Sequence, residues 1–109
     1  MTKNQSVVVS LTMFLLAAPA QADEIDILRG KFAFNWFSDP ATEKCVKVDG
    51  KLLNDFKSAR YHCDLKPNTN SSSEAISRTC TLLPQVKEYL IFDTKKECDE
   101  ERETQASNE

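Results

Sequence analysis

Glycine and histidine are scarce in this chain, and their scarcity removes several kinds of catalytic site. The sequence contains two glycines and one histidine, His62, which lies between Tyr61 and Cys63. Two glycines cannot build a phosphate-cradling loop, and the sequence has neither a Gly-x-Ser-x-Gly nor a Cys-x-x-Cys motif. A catalytic nucleophile needs a neighbouring base, and a lone histidine beside a cysteine is typical of a surface position. We therefore predict that the protein has no catalytic residue and is not an enzyme.

Closely spaced metal ligands and an excess of positive charge are also missing. The cysteines are too far apart to form paired zinc ligands, and the acidic run at 97–103 lacks the central glycine of an EF-hand loop. The chain has 14 Lys and Arg against 17 Asp and Glu, whereas nucleic-acid binding depends on basic side chains. The sequence thus predicts no metal, no cofactor and no nucleic-acid partner. We interpret the acidic run as the solvated face of a helix.

No apolar run in the sequence is long enough to span a bilayer, and the longest one lies near the N-terminus. Lys3 precedes a twelve-residue apolar stretch at 7–18, whereas a spanning helix needs about 20 residues. Ala20-Gln21-Ala22 then has the small-x-small pattern of a cleavage site. These features predict a signal peptide at 1–22 rather than an uncleaved anchor. We expect a periplasmic or secreted mature protein that begins at Asp23 and has no membrane anchor.

Four cysteines lie downstream of this segment, and an even number of cysteines in an exported chain indicates disulfides. Seventeen residues separate Cys45 from Cys63, and seventeen separate Cys80 from Cys98. Loop entropy does not select among the three possible pairings, because it changes slowly with loop length. The matched spacing favours Cys45–Cys63 and Cys80–Cys98, which would link two similar structural units.

The first unit is predicted at 43–65. Residues 45–48 alternate and include two valines, which favours a strand, and Asp49-Gly50 is typical of a tight hairpin turn. We expect the chain to return as a second strand at 51–56 and to continue as a short helix at 59–65.

The second unit is predicted at 78–107, after a polar loop at 66–77. Its first strand lies at 79–83 and its second at 86–93, and Thr94 with Glu97 forms a capping-box pattern before a helix over 95–106. Both units then have the order strand, turn, strand and helix. The fold class is α+β: one small disulfide-linked domain at 23–109, with a short antiparallel sheet and one or two helices.

An aromatic segment at 24–40 precedes both units. Phe32, Phe34 and Trp36 alternate as in a strand, although Phe32 and Trp36 also fit a helical stripe that starts at Ile25. We expect a short helical turn at 24–28, then an extended stretch that ends in a turn at Asp39-Pro40. These rings are expected in the core of so small a domain. The alternative is an exposed binding patch, for which the candidate residues are Phe34, Trp36 and Phe37.

The function that fits these features best is that of an exported, non-catalytic binding or accessory protein. A disulfide-linked scaffold suits this role because preorganisation lowers the entropy lost on binding. A protein partner is possible, but no residue identifies it. One alternative is a small secreted hydrolase that uses carboxylates such as Asp39, Asp49 and Asp64. The other is a secreted effector or toxin.

Overall fold

The computed structural model describes residues 22–107, so the predicted signal peptide lies outside the described residues except for Ala22. The helices are α1 (Ala22–Ile25), α2 (Gly50–Lys57) and α3 (Lys95–Ser107), and a 3-10 turn at Asp26–Leu28 follows α1. The strands are β1 (Phe32–Asn35), β2 (Val46–Lys47), β3 (Tyr61–Asn68), β4 (Ser77–Leu82) and β5 (Lys87–Phe92).

Within the described residues, the strands form one antiparallel sheet in the order β2-β1-β5-β4-β3. Strands β3, β4 and β5 follow one another as a meander, and β1 pairs with β5, the last strand in the chain. Between β2 at one edge and β3 at the other, the connection runs through α2. The predicted α+β class with a short antiparallel sheet is confirmed.

Each face of the sheet is covered by different helices, because successive side chains of a strand point to opposite sides. On one face, Ala33 and Ile91 pack with Leu53 and Phe56 of α2; we call this the α2 face. On the other, the α3 face, Phe34 and Phe92 pack with Cys98. Burial on both faces explains why residues 22–107 form two apolar clusters rather than one.

The N-terminal segment follows its predicted course. The helical turn expected at 24–28 is present as α1 and the 3-10 turn, and the chain then reverses at Gly30, whose φ is +84°. It continues as the extended strand β1. After this strand, the backbone carbonyl of Asp39 accepts hydrogen bonds from the amides of Thr42 and Glu43, each 3.0 Å long, which forms the expected turn.

The predicted strand at 51–56 is wrong, because these residues belong to helix α2. Gly50 has the positive φ expected of an Asp-Gly turn, +45°, but Asp49 is extended at −161° and precedes a helix instead of a hairpin. Leu53 and Phe56, three residues apart, are both buried. That spacing places them on one helical face, whereas in a strand they would point to opposite sides.

The predicted helix at 59–65 is also wrong, because residues 61–65 belong to strand β3 and residues 59–60 form the turn before it. Tyr61, Cys63 and Leu65 all pack against the α2 face, as alternate residues of a strand do. Pro67 is tolerated because β3 lies at the edge of the sheet, where a missing N–H breaks no ladder bond. The connecting loop is accordingly 69–76 and shorter than predicted.

The elements of the second unit agree with the prediction. Strands β4 and β5 flank a turn that contains Pro84, and α3 begins where the capping box places it. The Glu97 backbone amide donates to Thr94 Oγ1 at 3.1 Å, and that hydroxyl bonds Glu97 Oε1 at 3.1 Å. The two units therefore differ in element order, since the first has its helix before its long strand.

All four cysteines form disulfides, but the predicted pairing is wrong: the bonds are Cys45–Cys98 and Cys63–Cys80. Cys45 precedes β2 and Cys63 lies on β3, at opposite edges of the sheet. Four strand spacings of about 4.8 Å separate those edges by roughly 19 Å. A disulfide requires Cα atoms within about 7 Å of each other. Cys63 and Cys80 are instead directly opposed on neighbouring strands, with Cα atoms 4.0 Å apart.

Candidate functional site

Helix α3 is attached to the sheet mainly through one covalent link and polar contacts. Its sequence is strongly charged, and only Cys98 and Glu101 are buried. Cys98 is joined to Cys45, and Arg102 Nη1 donates to the carbonyl of Pro40 at 3.2 Å. The helix packs against β1 and β5. A concave space is left beside it on the α3 face, over β4 and under the loop 69–76.

This space is a cavity of about 290 Å³, which we call the α3 cavity. Its floor comes from Ser77 and Thr79 of β4 and from Leu90 of β5. These residues share a face because Ser77 pairs with Phe92 and Thr79 with Leu90 in the sheet register. The remaining walls come from the loop, from the second half of α3 and from the end of β1.

Glu101 on α3 forms one wall, and its side chain is held by neutral donors. Its Oε2 accepts from the Ser72 backbone amide at 3.0 Å and from Gln105 Nε2 at 2.8 Å, while its Oε1 accepts from the Ser73 amide at 2.7 Å. Burial alone would raise the pKa of Glu101. The hydrogen bonds from Gln105, Ser73 and Ser72 outweigh it, so the pKa lies below its ordinary value of 4.5. The carboxylate is therefore ionised at neutral pH and fastens the loop to the helix.

Trp36 and Glu88 form the opposite wall. Trp36 is 39% exposed, and its indole Nε1 donates to Glu88 Oε1 at 2.8 Å. The other oxygen of Glu88 accepts from the Thr81 hydroxyl. The backbone sets this arrangement, because the Trp36 amide donates to the Glu88 carbonyl at 3.0 Å as β1 continues alongside β5. Asn35 Oδ1 also accepts from the Glu88 amide at 3.1 Å. The indole is thus fixed at the rim of the α3 cavity.

Neutral amides and hydroxyls make up most of the remaining lining. Asn68 Oδ1 accepts from the Asn70 backbone amide at 3.0 Å and from the Ser77 hydroxyl at 3.5 Å, which leaves the Asn68 NH₂ group as a donor. Gln105 uses its NH₂ on Glu101, so its carbonyl oxygen remains as an acceptor. The lining therefore offers both donors and acceptors.

The three aromatic residues proposed for binding occupy different environments. Phe34 is fully buried in the apolar cluster beneath α3, so it belongs to the core. Trp36 and Phe37 are 39% and 43% exposed, and their ring centroids lie 5.0 Å apart in an edge-on contact. Of the three, Trp36 lines the α3 cavity. Trp36 continues the alternation of β1 on the α3 face, but it is exposed at the rim of the cavity, whereas Phe34 is buried.

The carboxylates considered for a hydrolase are scattered. Asp39 lies in the turn after β1, Asp49 precedes α2, and Asp64 is exposed on β3. Asp49 follows β2 at one edge of the sheet, whereas Asp64 lies on β3 at the other edge. His62 is likewise exposed on β3, at a position opposite Thr81. None of these four residues lines the α3 cavity.

Of the residues that line the α3 cavity, the sequence indicated Trp36 as a candidate for binding, whereas Glu88, Glu101 and the polar residues between them were missed. Glu101 was missed because the acidic run was assigned to solvent as a whole. Most of the run is exposed or half-buried, but Glu101 is fully buried. The signal was its spacing: Cys98 and Glu101 are three residues apart, so a buried Cys98 places Glu101 on the same side of the helix.

A second cavity, of about 310 Å³, lies beside the Cys45–Cys98 bond and is lined mostly by charged side chains. Two pairs among them already interact, Lys95 with Asp99 at 2.7 Å and Arg102 with Glu103 at 3.7 Å. Residues 22–107 contain no group of three or more Cys, His, Asp or Glu arranged to hold a metal ion. None of the helices in that range has the length and apolar character needed to cross a bilayer.

Comparison of the chain with protein-family models, with curated proteins and with solved structures finds no significant match.

Proposed function

We propose that this protein is exported and acts as a non-catalytic binding or accessory protein, in the periplasm or outside the cell. Two features support an oxidising compartment. The sequence of residues 1–22 has the pattern of a signal peptide, and both disulfides join cysteines that are distant in sequence. The pair Cys45–Cys98 supports stability rather than redox chemistry, because it links α3 to the rest of the domain.

The observation that carries the proposal is the α3 cavity with its fixed polar walls. Ligand sites are concave, largely preformed and supplied with a few oriented polar groups. Here Glu101 fastens the loop, and Glu88 holds Trp36 in place. Walls that are already ordered lose little conformational entropy when a ligand binds. Phe37 extends the exposed aromatic surface next to this cavity.

The geometry favours binding over hydrolysis, although two carboxylates line the same cavity. A glycosidase-type mechanism requires one carboxylic acid with a raised pKa that protonates the leaving group. The pKa of Glu101 is lowered instead, and both of its oxygens accept hydrogen bonds from the protein. Both oxygens of Glu88 also accept hydrogen bonds from the protein, one from the Trp36 indole and one from the Thr81 hydroxyl.

Export can be tested by producing the full chain in a Gram-negative host and measuring the mass of the periplasmic product. We expect a protein that begins at Asp23 and contains no free thiol. Material confined to the cytoplasm, or a product that retains residues 1–22, would contradict the proposed compartment.

Binding can be tested with the oxidised chain 23–109 immobilised and exposed to envelope extract. Retained proteins and small molecules are identified by mass spectrometry. We expect specific material on the wild type that is lost on Trp36→Ala. It should persist on Val86→Ala, a control at an exposed apolar residue of the β4–β5 turn, outside the α3 cavity. Equal retention on all three proteins, or chemical conversion of the retained molecule, would refute the proposal.

A further inference from the structure

We propose that the α3 cavity binds a neutral saccharide, with one sugar ring against the indole of Trp36. This inference rests on the proposed function, since it takes the cavity to be the ligand site. Three properties of the lining support it: its charge, its free hydrogen-bonding groups, and the Trp36 indole, whose N–H is bonded to Glu88 while the ring remains at the rim.

The charge of the lining excludes anionic ligands. Among the described residues that line the α3 cavity, two are carboxylates, Glu88 and Glu101, and none is Lys, Arg or His. Phosphates and carboxylates are recognised by guanidinium, ammonium or clustered backbone amides. In the loop beside the cavity, the Ser72 and Ser73 amides are already bonded to Glu101, and the Asn70 amide is bonded to Asn68 Oδ1. An anion would therefore be repelled by the two carboxylates and would find no positively charged side chain in the lining.

The hydrogen-bonding groups match a ligand that is rich in hydroxyls. A sugar hydroxyl both donates and accepts, so it is satisfied best by a lining that offers both functions. The Asn68 NH₂ group is a donor, the Gln105 carbonyl is an acceptor, and the Thr79 hydroxyl serves as either. The carboxylate of Glu88 has lone pairs beyond the two that Trp36 and Thr81 use. Such groups favour a polyol over an apolar ligand.

The indole of Trp36 can contribute only its π face and carbon edge. Its N–H is committed to Glu88 Oε1, so it does not donate to a ligand. A pyranose presents polar hydroxyls at its rim and aliphatic C–H groups on its ring faces. Those C–H groups can lie against a π face while the rim reaches Asn68, Thr79 and Gln105. At about 290 Å³ the cavity is near the lower limit of ordinary ligand sites, roughly 300 Å³, which suits one or two rings.

A cationic ligand is the main competitor, because carboxylates and an aromatic ring also attract ammonium groups. The geometry disfavours it. Each oxygen of Glu88 and Glu101 already accepts a protein hydrogen bond, and Trp36 is the one aromatic residue among the lining residues described. A cation would therefore have a single π face and only carboxylate oxygens that already accept a protein hydrogen bond. A cationic probe is therefore included in the binding experiment.

The chain has one tryptophan, so intrinsic fluorescence reports directly on the proposed contact. The oxidised chain 23–109 is titrated with glucose, N-acetylglucosamine, cellobiose and maltose as neutral probes, with glucuronate as an anion and choline as a cation. We expect saturable changes in emission with at least one neutral sugar, and much weaker changes with glucuronate and choline. Tighter binding of glucuronate or choline than of every neutral sugar would overturn the inference.

Variants then locate the site by calorimetry. Thr79→Val and Trp36→Ala should each weaken the best sugar by about tenfold, the scale of one lost hydrogen bond or aromatic contact. Thr104→Val is the matched control, because the Thr104 hydroxyl bonds the Glu100 carbonyl of its own helix and lies outside the α3 cavity. Equal affinities for all variants would place the sugar elsewhere and refute the site. If no probe binds while Trp36-dependent retention from envelope extract persists, the saccharide inference fails and the proposed binding function survives.

Discussion

At the residue scale, the behaviour of Glu101 follows from its environment rather than from its type. A buried carboxylate is costly unless donors surround it. Glu101 receives two backbone amides and one side-chain amide, so its charged form is stabilised without a salt bridge. The neighbouring Glu100 is exposed, although both residues belong to the same acidic run. Charge composition alone therefore does not identify which carboxylate has a structural role.

The substitution Glu101→Gln should lower the free energy of unfolding by about 1–3 kcal/mol. Glutamine keeps the volume but replaces one acceptor oxygen with an NH₂ group. That group would face a backbone N–H of Ser72 or Ser73 and leave it without a partner. Urea unfolding measures the loss, and Glu100→Gln should leave stability nearly unchanged. Equal stability of all three proteins would show that these hydrogen bonds contribute nothing net.

The contribution of Glu101 should also depend on pH with a definite sign. Because the pKa of the folded state is lowered, this stability is fully present above the ordinary pKa of 4.5 and is lost as pH falls through the folded value. The difference in unfolding free energy between wild type and Glu101→Gln should therefore shrink below pH 4.5. The pKa values of Asp26 and Asp93 are also lowered, by hydrogen bonds from Lys57 and Lys31. Both carboxylates are present in the wild type and in Glu101→Gln, so their pH-dependent contributions cancel in the difference. A difference that stays constant with pH would contradict this account.

At the element scale, α3 is unusual because it has almost no apolar face. Amphipathic helices bind to a sheet through an apolar stripe. In α3 the buried side chains are one cysteine and one glutamate. The Cys45–Cys98 bond and the hydrogen bonds of Glu101 and Arg102 perform that task. The wall that α3 gives to the cavity therefore depends on the disulfide.

Removal of that disulfide should loosen α3 selectively. In Cys45→Ala/Cys98→Ala, hydrogen exchange of the α3 amides should accelerate more than exchange of β4 and β5, because the strands keep their ladder bonds. The matched variant is Cys63→Ala/Cys80→Ala, which breaks a link between two paired strands and leaves the α3 contacts intact. Uniform acceleration across the domain in the first variant would show that α3 does not open independently.

At the scale of the whole molecule, the two disulfides close loops of very different length. Cys45–Cys98 spans 53 residues and connects the N-terminal half of the domain to its last helix, whereas Cys63–Cys80 spans 17. A longer closed loop removes more conformational entropy from the unfolded chain. Both bonds matter for a domain of this size, whose apolar clusters are small.

We expect the longer link to contribute more stability. In the chain-entropy model, loss of the Cys45–Cys98 bond costs about 4 kcal/mol and loss of Cys63–Cys80 about 3 kcal/mol. Urea unfolding of the two double-alanine variants measures the order. A larger loss for Cys63→Ala/Cys80→Ala would contradict the entropic ranking.

Digestion of the wild type without reductant tests the connectivity itself. It should yield one peptide pair linked by Cys45–Cys98 and another linked by Cys63–Cys80.

Sequence reasoning succeeded where a local signal had one meaning, and it failed where a local signal was ambiguous or where the outcome depended on distant partners. The capping box at Thr94 and Glu97 located the start of α3, and the turn at Pro84 located the hairpin before it. The Asp49-Gly50 pair misled the prediction, because the positive φ of Gly50 serves the start of a helix. The helix at 59–65 was predicted from helix start and stop signals, and the alternation of Tyr61, Cys63 and Leu65, which indicates a strand, was not weighed against them.

By itself, then, the sequence determined the α+β class, the second hairpin with its helix, and the formation of disulfides. Only the tertiary structure decided their pairing and the burial of Glu101. The physical reason is range: caps, turns and alternation act over a few residues along the chain. Which cysteines meet depends on the edge of the sheet that β2 and β3 each occupy. The place of a strand in the sheet is set by contacts between residues that are far apart in the sequence.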